Sequence, residues 1–360
     1  MGECTAASNL HINKTFNSSP DSTDIKLHQL KVIGYAIIGS VIIALGILGN
    51  IINLIVLTRP NLKGVTFVYL TWLATSDLIS LLVGIPSLLR LHGIQPRSYA
   101  AAIYYAHLDI AIVNGFMATS VFLVVALTVD RYFSVCLPTR FKEIHTTKNA
   151  KHCILAAYVV PFFLYLPICF QKETVIAEKN SNYTEYIACE HQTVTNHPAF
   201  KAYLYVKEII VRLGPVVILA LLNTAIIIAF RKTVKKKKIL LRSSLIGTNQ
   251  VREGNKKFRE EKRLVALLGG VSILFFICMT PAAVLTLLNS DEKERNFAFQ
   301  TFRAVANVLE LANYAMNFYV YCLCSSEIRR TFLRLFICRK VPKNTHNFSN
   351  KLSFESSTKV

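Results

Sequence analysis

Two acidic positions stand out because their surroundings are apolar. Asp130-Arg131-Tyr132 ends a long hydrophobic run and is soon followed by Pro138. Charges at the point where hydrocarbon gives way to water are costly to bury and mark function. Asp77 is a lone carboxylate in the middle of another apolar run, so it must face neighbouring helices, a cavity or an ion. Ser120 lies eleven residues before Arg131, about three helical turns or roughly 16 Å back. Enzyme chemistry finds no support. The nine histidines are dispersed, no His-Glu-x-x-His occurs, and no nucleophile stands beside a base.

The elements that must position these groups are long. Hydrophobic residues make up 52% of the 360 and charged residues 17%. Seven blocks are long enough to cross a bilayer: 32–58, 66–90, 101–129, 152–170, 203–230, 264–289 and 299–324. The expected fold is an all-α membrane protein, a seven-transmembrane helix bundle with a short amphipathic helix after helix seven. The formal charge of +20 is unevenly spread. Residues 231–263 hold thirteen Lys/Arg against three Glu, and 325–360 hold eight against two. Residues 1–30 and 171–202 carry no basic excess. The positive-inside rule therefore puts the C-terminus in the cytoplasm and the N-terminus outside the plasma membrane. Basic runs that flank membrane helices argue against nucleic-acid binding. With no internal repeat and no charge-lined broken helix, a transporter is a distant alternative.

The expected organisation has four parts. An extracellular tail, 1–30, carries glycosylation sequons at Asn13 and Asn17, with a third at Asn182 in a loop. The bundle spans 31–324, an amphipathic surface helix 325–338, and a disordered cytoplasmic tail 339–360. Cys338 closes the surface helix as a palmitoylation candidate. No cleavable leader is expected in 1–25, so the first helix serves as export signal.

Together the motifs resemble the rhodopsin-like (class A) G-protein-coupled receptors over 30–338. They are Gly49-Asn50, Leu73-Ala74-x-x-Asp77, Asp130-Arg131-Tyr132, Pro215, Phe275-x-x-Cys278-x-x-Pro281 and Asn317-x-x-x-Tyr321. Met279 replaces the usual tryptophan before the helix-six proline, Phe318 a usual proline, and Asn223 a usual tyrosine. These departures look like invertebrate neuropeptide receptors of the FMRFamide and myosuppressin type. The resemblance implies a receptor that binds an extracellular ligand and activates a heterotrimeric G protein as helix six moves outward. The ligand would be a neuropeptide, with a lipid or other small molecule as the alternative.

The resemblance also implies residue roles. Arg131 would be the switch, paired with Asp130 and with Glu261 and flanked by Tyr132, with Asn317 and Tyr321 completing it. Asp77, Ser120, Asn313 and Asn317 would converge on ordered water or a sodium ion, an allosteric ligand rather than a cofactor. Phe275, Cys278, Met279 and Pro281 would transmit motion along helix six. Val113 stands where amine receptors carry an Asp, so an ammonium has no partner. Ligand-pocket candidates are Tyr104, His107, Asp109, Val113, Asn114, Glu208, Arg212, Arg303 and Glu310. A guanidinium would suit the carboxylates, and a carbonyl or carboxylate the arginines. Helix three lacks the family's usual cysteine; Cys4–Cys189 is the disulfide candidate, with a bridge to Cys169 or free thiols as open alternatives. Further partners are arrestin and receptor kinases through Ser349, Ser353, Ser356, Ser357 and Thr358, and a PDZ domain through Thr358-Lys359-Val360. Anionic membrane lipid would meet Lys235-Lys236-Lys237-Lys238.

Overall fold

The computed structural model describes residues 22–336 apart from 61, 63, 93, 95, 180–183, 244–247 and 289–295, with the side chains of 236–262 also left aside. Cys4, Asn13, Asn17, Asn182, the Glu261 side chain, Cys338 and the C-terminal tail therefore lie outside the described residues.

The chain is a helical bundle. Helix α1 (Ser22–Lys31) runs through a π-helical stretch, Val32–Ile38, into α2 (Gly39–Leu57). Helix α3 (Val65–Val83) follows a turn at Gly64, whose φ of 134° is a conformation that glycine adopts without a Cβ clash. Short helices α4 (Ile85–Leu91) and α5 (Tyr99–Ile103) lead by a π turn, Tyr104–Leu108, into α6 (Asp109–Cys136). Then come α7 (Pro138–Ile144), α8 (Thr147–Tyr165) and a 3-10 turn, Leu166–Phe170. Beyond a hairpin lie α9 (Gln192–Thr195), α10 (Pro198–Glu208), a π turn, Ile209–Leu213, and α11 (Gly214–Ser243). Helices α12 (Thr248–Leu288), α13 (Phe297–Ala315), α14 (Asn317–Cys324) and α15 (Ser326–Phe336) complete the described chain.

Helix α6 is the central member and packs against α3, α8 and α11. Helix α13 closes the ring by packing on α2 and α12. The core gathers Leu70, Leu73, Leu123, Leu127, Leu219, Leu267, Phe275 and Tyr321, all fully buried. The outer faces remain aliphatic, with Phe163, Leu221, Ile273 and Leu323 more than half exposed. Apolar side chains on an outer surface of this extent fit hydrocarbon as the solvent.

Among the described residues six helical spans are long and apolar enough to cross a bilayer. They are Ile25–Leu57, Val65–Arg90, Tyr99–Cys136, Thr147–Phe170, Pro198–Lys235 and Val265–Leu285. The expected seventh segment is in the bundle but differs in kind. It is divided between α13 and α14 at Met316, and α13 carries Gln300, Arg303, Asn307, Glu310 and Asn313. The structure thus shows six apolar spans of the seven expected, with the seventh segment present as the more polar α13 and α14. A second correction concerns the loop after α8, which folds as an antiparallel hairpin, β1 (Lys172–Lys179) with β2 (Thr184–Glu190). Val175 pairs Ile187 and Thr174 pairs Ala188, with a bulge between Ile176 and Glu178. The bundle is all-α; this loop is not.

Candidate functional site

Three polar clusters lie along the bundle. At the Pro138 end of α6, Arg131 is 6% exposed and Asp130 7%. The Arg131 Nη2 donates to Asp130 Oδ2 at 2.6 Å and to Thr66 Oγ1 of α3 at 2.5 Å. The second Asp130 oxygen lies 2.8 Å from His145 Nδ1, and the His145 ring stacks on Phe141 of α7. The carboxylate is thus gripped by its own helix and by the loop beyond α7. A buried ion pair needs such additional bonds to offset desolvation. Arg131 Nε is buried and has no hydrogen-bond partner among the described residues. Tyr132 packs edge-on against Phe133.

In mid-bundle, Asn317 Nδ2 donates to Asp77 Oδ2 at 2.6 Å, with Ser120 beside the same carboxylate. The Asn50 amide donates to the Gly46 carbonyl at 3.0 Å and to the Tyr314 carbonyl at 2.9 Å, which ties α2 to α13. Several buried polar atoms lack a partner among the described residues: Asn50 Oδ1, both Asn53 amide atoms, Asp77 Oδ1 and the Tyr321 hydroxyl. Buried polar atoms ordinarily have partners, so this group calls for water or an ion. The donor set is oxygen-rich, which fits a small hard cation. Asn313 is buried on α13 in the same layer. In α12, Phe275, Cys278 and Met279 are buried around the interior Pro281.

The third cluster lies towards the hairpin. Arg212, in the π turn before α11, donates through Nη1 to Glu208 Oε2 at 2.6 Å. Its Nη2 reaches both oxygens of Glu310 on α13, at 3.1 and 3.2 Å. Lys207 Nζ lies 2.8 Å from Glu208 Oε1 and 5.0 Å over the Tyr165 ring. Two basic and two acidic groups from two helices therefore form one nearly neutral network, and π-helical turns recur at functional sites.

The other pocket candidates are used differently. Asp109 is 1% exposed, and both of its oxygens accept from Ser87 Oγ, at 2.7 and 2.8 Å. Arg90 lies 4.0 Å from it and covers the Tyr105 ring. Burial and the neighbouring Arg90 push the Lys172 ammonium of β1 below its ordinary value, against the opposing pull of Asp109 and Glu190. His107 Nδ1 is 2.7 Å from the Cys169 carbonyl oxygen. Asp109 and His107 thus fasten the hairpin side of the bundle and are not open ligand contacts. Asn114 donates to the Ile110 carbonyl of its own helix, Val113 is half-buried in α6, and Tyr104 packs edge-on against Tyr105. Arg303 lies over the Phe299 ring.

Residues that the sequence reading passed over include Asn53, Thr66, Ser87, His145, Tyr165 and Lys207. A search for every polar side chain inside an apolar segment would have found Asn53 and Lys207. His145 lies in a loop with no periodic signal.

This arrangement is that of a multi-pass helical receptor. The chain belongs to the 7 transmembrane receptor (rhodopsin family), whose pattern matches residues 49–321. It is 34% identical over 316 residues to a probable G-protein coupled receptor of Caenorhabditis elegans, covering 86% of this chain and 70% of the relative. A second probable G-protein coupled receptor of the same nematode is 33% identical over 324 residues, covering 87% and 78%. The FMRFamide receptor of Drosophila melanogaster is 26% identical over 330 residues, covering 87% of this chain and 55% of that protein. The chain is a membrane receptor of the kind that signals through a heterotrimeric G protein, and it is not an enzyme.

Proposed function

We propose that the chain is a plasma-membrane receptor for an extracellular neuropeptide, with its N-terminus outside. The observation that carries this reading is the Arg212–Glu208–Glu310 network, a buried charged site on the hairpin side. A peptide guanidinium competes with Arg212 for Glu310, and a peptide carbonyl or carboxylate competes with Glu310 for Arg212. Either exchange loosens the tie between the π turn of 209–213 and α13. The likeness to the Drosophila FMRFamide receptor, at 26% identity, supports a peptide ligand.

At the other end, Arg131 leaves Asp130 and Thr66 as α12 moves outward and opens a cleft for the G protein. Glu261 is the second partner of Arg131 in this reading, and α13 with α14 is the seventh crossing, ahead of a surface-lying α15. Asp77, Ser120, Asn313 and Asn317 would hold a sodium ion, whose positive charge neutralises the buried carboxylate and favours the resting arrangement. Receptor kinases would phosphorylate Ser349, Ser353, Ser356, Ser357 and Thr358, and arrestin would bind the phosphorylated segment.

The test is a screen of amidated neuropeptides on cells expressing the chain, with G-protein activation as readout. An arginine-containing amidated peptide activates the wild type, Glu310→Gln weakens its potency, and Arg131→Ala removes the response. Activation only by lipids or amines, with no response to any peptide, overturns the reading.

A further inference from the structure

Helix α15 is fixed to the bundle by packing and by hydrogen bonding. Ile328 and Thr331 are buried. Phe332 meets Phe318 of α14 with ring centroids 5.4 Å apart, and Arg329 Nη1 donates to the Cys322 carbonyl at 3.1 Å. Helix α12 reaches this fixed element through charge. Arg263 Nη1 lies 3.5 Å from Glu327 Oε1 in the first turn of α15, and the two side chains are 40% and 43% exposed. The pair is distinct from the Arg131 cluster, because it joins α12 to α15 and leaves α6 out.

Gly270 makes the same seam tight by a different means. It stands seven residues after Arg263, about two turns, and so shares its face of α12. A Cβ built at Gly270 would meet Cys324 Sγ at 2.5 Å and Val320 Cγ1 at 3.0 Å, both on α14. At the adjacent Gly269 a Cβ meets nothing within 4 Å. Gly270 is thus small because α14 presses on it, and Gly269 is under no such constraint. The seam is closed by packing at one point and by charge at another.

We propose that Arg263 and Glu327, with the close approach at Gly270, form a latch that holds α12 against α14 and α15 and sets how strongly the receptor couples without ligand. The latch rests on the reading above, in which α12 moves outward for the G protein. That movement carries Arg263 off Glu327 and opens the space beside Gly270. An exposed ion pair shifts a two-state equilibrium by about two- to fivefold. That magnitude suits a set point, since it biases α12 towards rest and still lets a ligand release it. A buried pair would be far costlier to break. The latch is separate from the peptide network around Arg212, and it does not depend on the identity of the extracellular ligand.

The experiment uses the full chain in phosphatidylcholine nanodiscs with no ligand added. Hydrogen–deuterium exchange of peptides from 326–336 reads the seam, and nucleotide exchange on a set of purified heterotrimeric G proteins reads coupling. Arg263→Gln and Glu327→Gln should each speed amide exchange in 326–336 and raise basal nucleotide exchange about two- to fivefold. The double variant should go no further than either single one, because both changes break the same contact. Gly270→Ala should loosen the seam in the same way. Gly269→Ala, with the same gain in helix propensity, should leave amide exchange in 326–336 at the wild-type rate. Wild-type amide exchange in both glutamine variants, or effects that multiply in the double variant, overturns the latch. A loosened seam with unchanged basal coupling, in a chain whose coupling Arg131→Ala abolishes, also overturns it. If neither the wild type nor any variant drives nucleotide exchange, the receptor reading itself fails, and the coupling role of the latch fails with it.

Discussion

A charged network inside a helix bundle is asymmetric in its energetics. Arg212 holds Glu208 and Glu310 in largely buried surroundings, with side-chain exposures of 23%, 17% and 12%. Removing one carboxylate leaves the guanidinium partly unpaired, whereas replacing the arginine and its partner together by apolar groups removes the burden altogether. Glu310→Ala should therefore destabilise the detergent-solubilised receptor by on the order of 2 kcal/mol, and Arg212→Met with Glu310→Leu by less. Thermal melts of the two variants beside the wild type decide it. If the single variant melts no lower than the double, the network contributes nothing to holding α13. The same logic explains why Asp130 collects Arg131 and His145: a carboxylate so deep needs more than one donor.

At the scale of elements, α2 approaches α3 and α13 through a glycine. A Cβ at Gly46 would lie 2.6 Å from Leu81 Cδ1 and 2.9 Å from the Ala315 Cα. The second of these is backbone and cannot rotate away. Gly46→Val should cost on the order of 1–3 kcal/mol by forcing the helices apart, as overpacking does. A melting temperature equal to the wild type would show that α2 shifts freely. The neighbouring Asn50 bond to the Tyr314 carbonyl would be lengthened by the same displacement.

Six of the segments were readable from hydropathy because their outer faces meet lipid, so nearly every position is apolar. The seventh, 299–324, reads as an apolar block of the same length, yet α13 faces its neighbours with Gln300, Arg303, Asn307 and Glu310, so its motif, Asn317-x-x-x-Tyr321, is the stronger sign. Asp77 stood out for the same reason that Arg131 did, as a charge with no water to face. The hairpin was hidden. Its alternation of Thr174, Val175 and Ile176 is short, and its partner strand follows only after an interval of polar residues. Pairings such as Ser87 with Asp109 or Thr66 with Arg131 join residues far apart in sequence, and no local pattern announces them.

The whole molecule is ordered by its charge. In the proposed orientation the basic runs of 231–263 and 325–360 lie with the Arg131 end in the cytoplasm, and the hairpin lies outside. Outside is the oxidising compartment. Cys189, at the end of β2, is disulfide-bonded, while Cys136, Cys153, Cys169, Cys278, Cys322 and Cys324 are free thiols. Cys4 and Cys338 lie outside the described residues, and we propose Cys4, which shares the hairpin's compartment in this orientation, as the partner of Cys189. The helix-three end of 104–109 carries no cysteine and is held by hydrogen bonds, His107 Nδ1 to the Cys169 carbonyl and Ser87 Oγ to Asp109. Non-reducing digestion and mass spectrometry of the surface-expressed receptor should yield a peptide joining Cys4 to Cys189, lost in Cys4→Ser. A free Cys4 thiol, or a bridge from Cys189 to Cys338, would reverse both the pairing and the orientation from which it follows. A Cys4–Cys189 bridge would tie the N-terminal tail to the hairpin, on the side of the bundle that carries the Arg212 network. Reducing agent should therefore speed ligand dissociation in the wild type and leave Cys4→Ser unchanged.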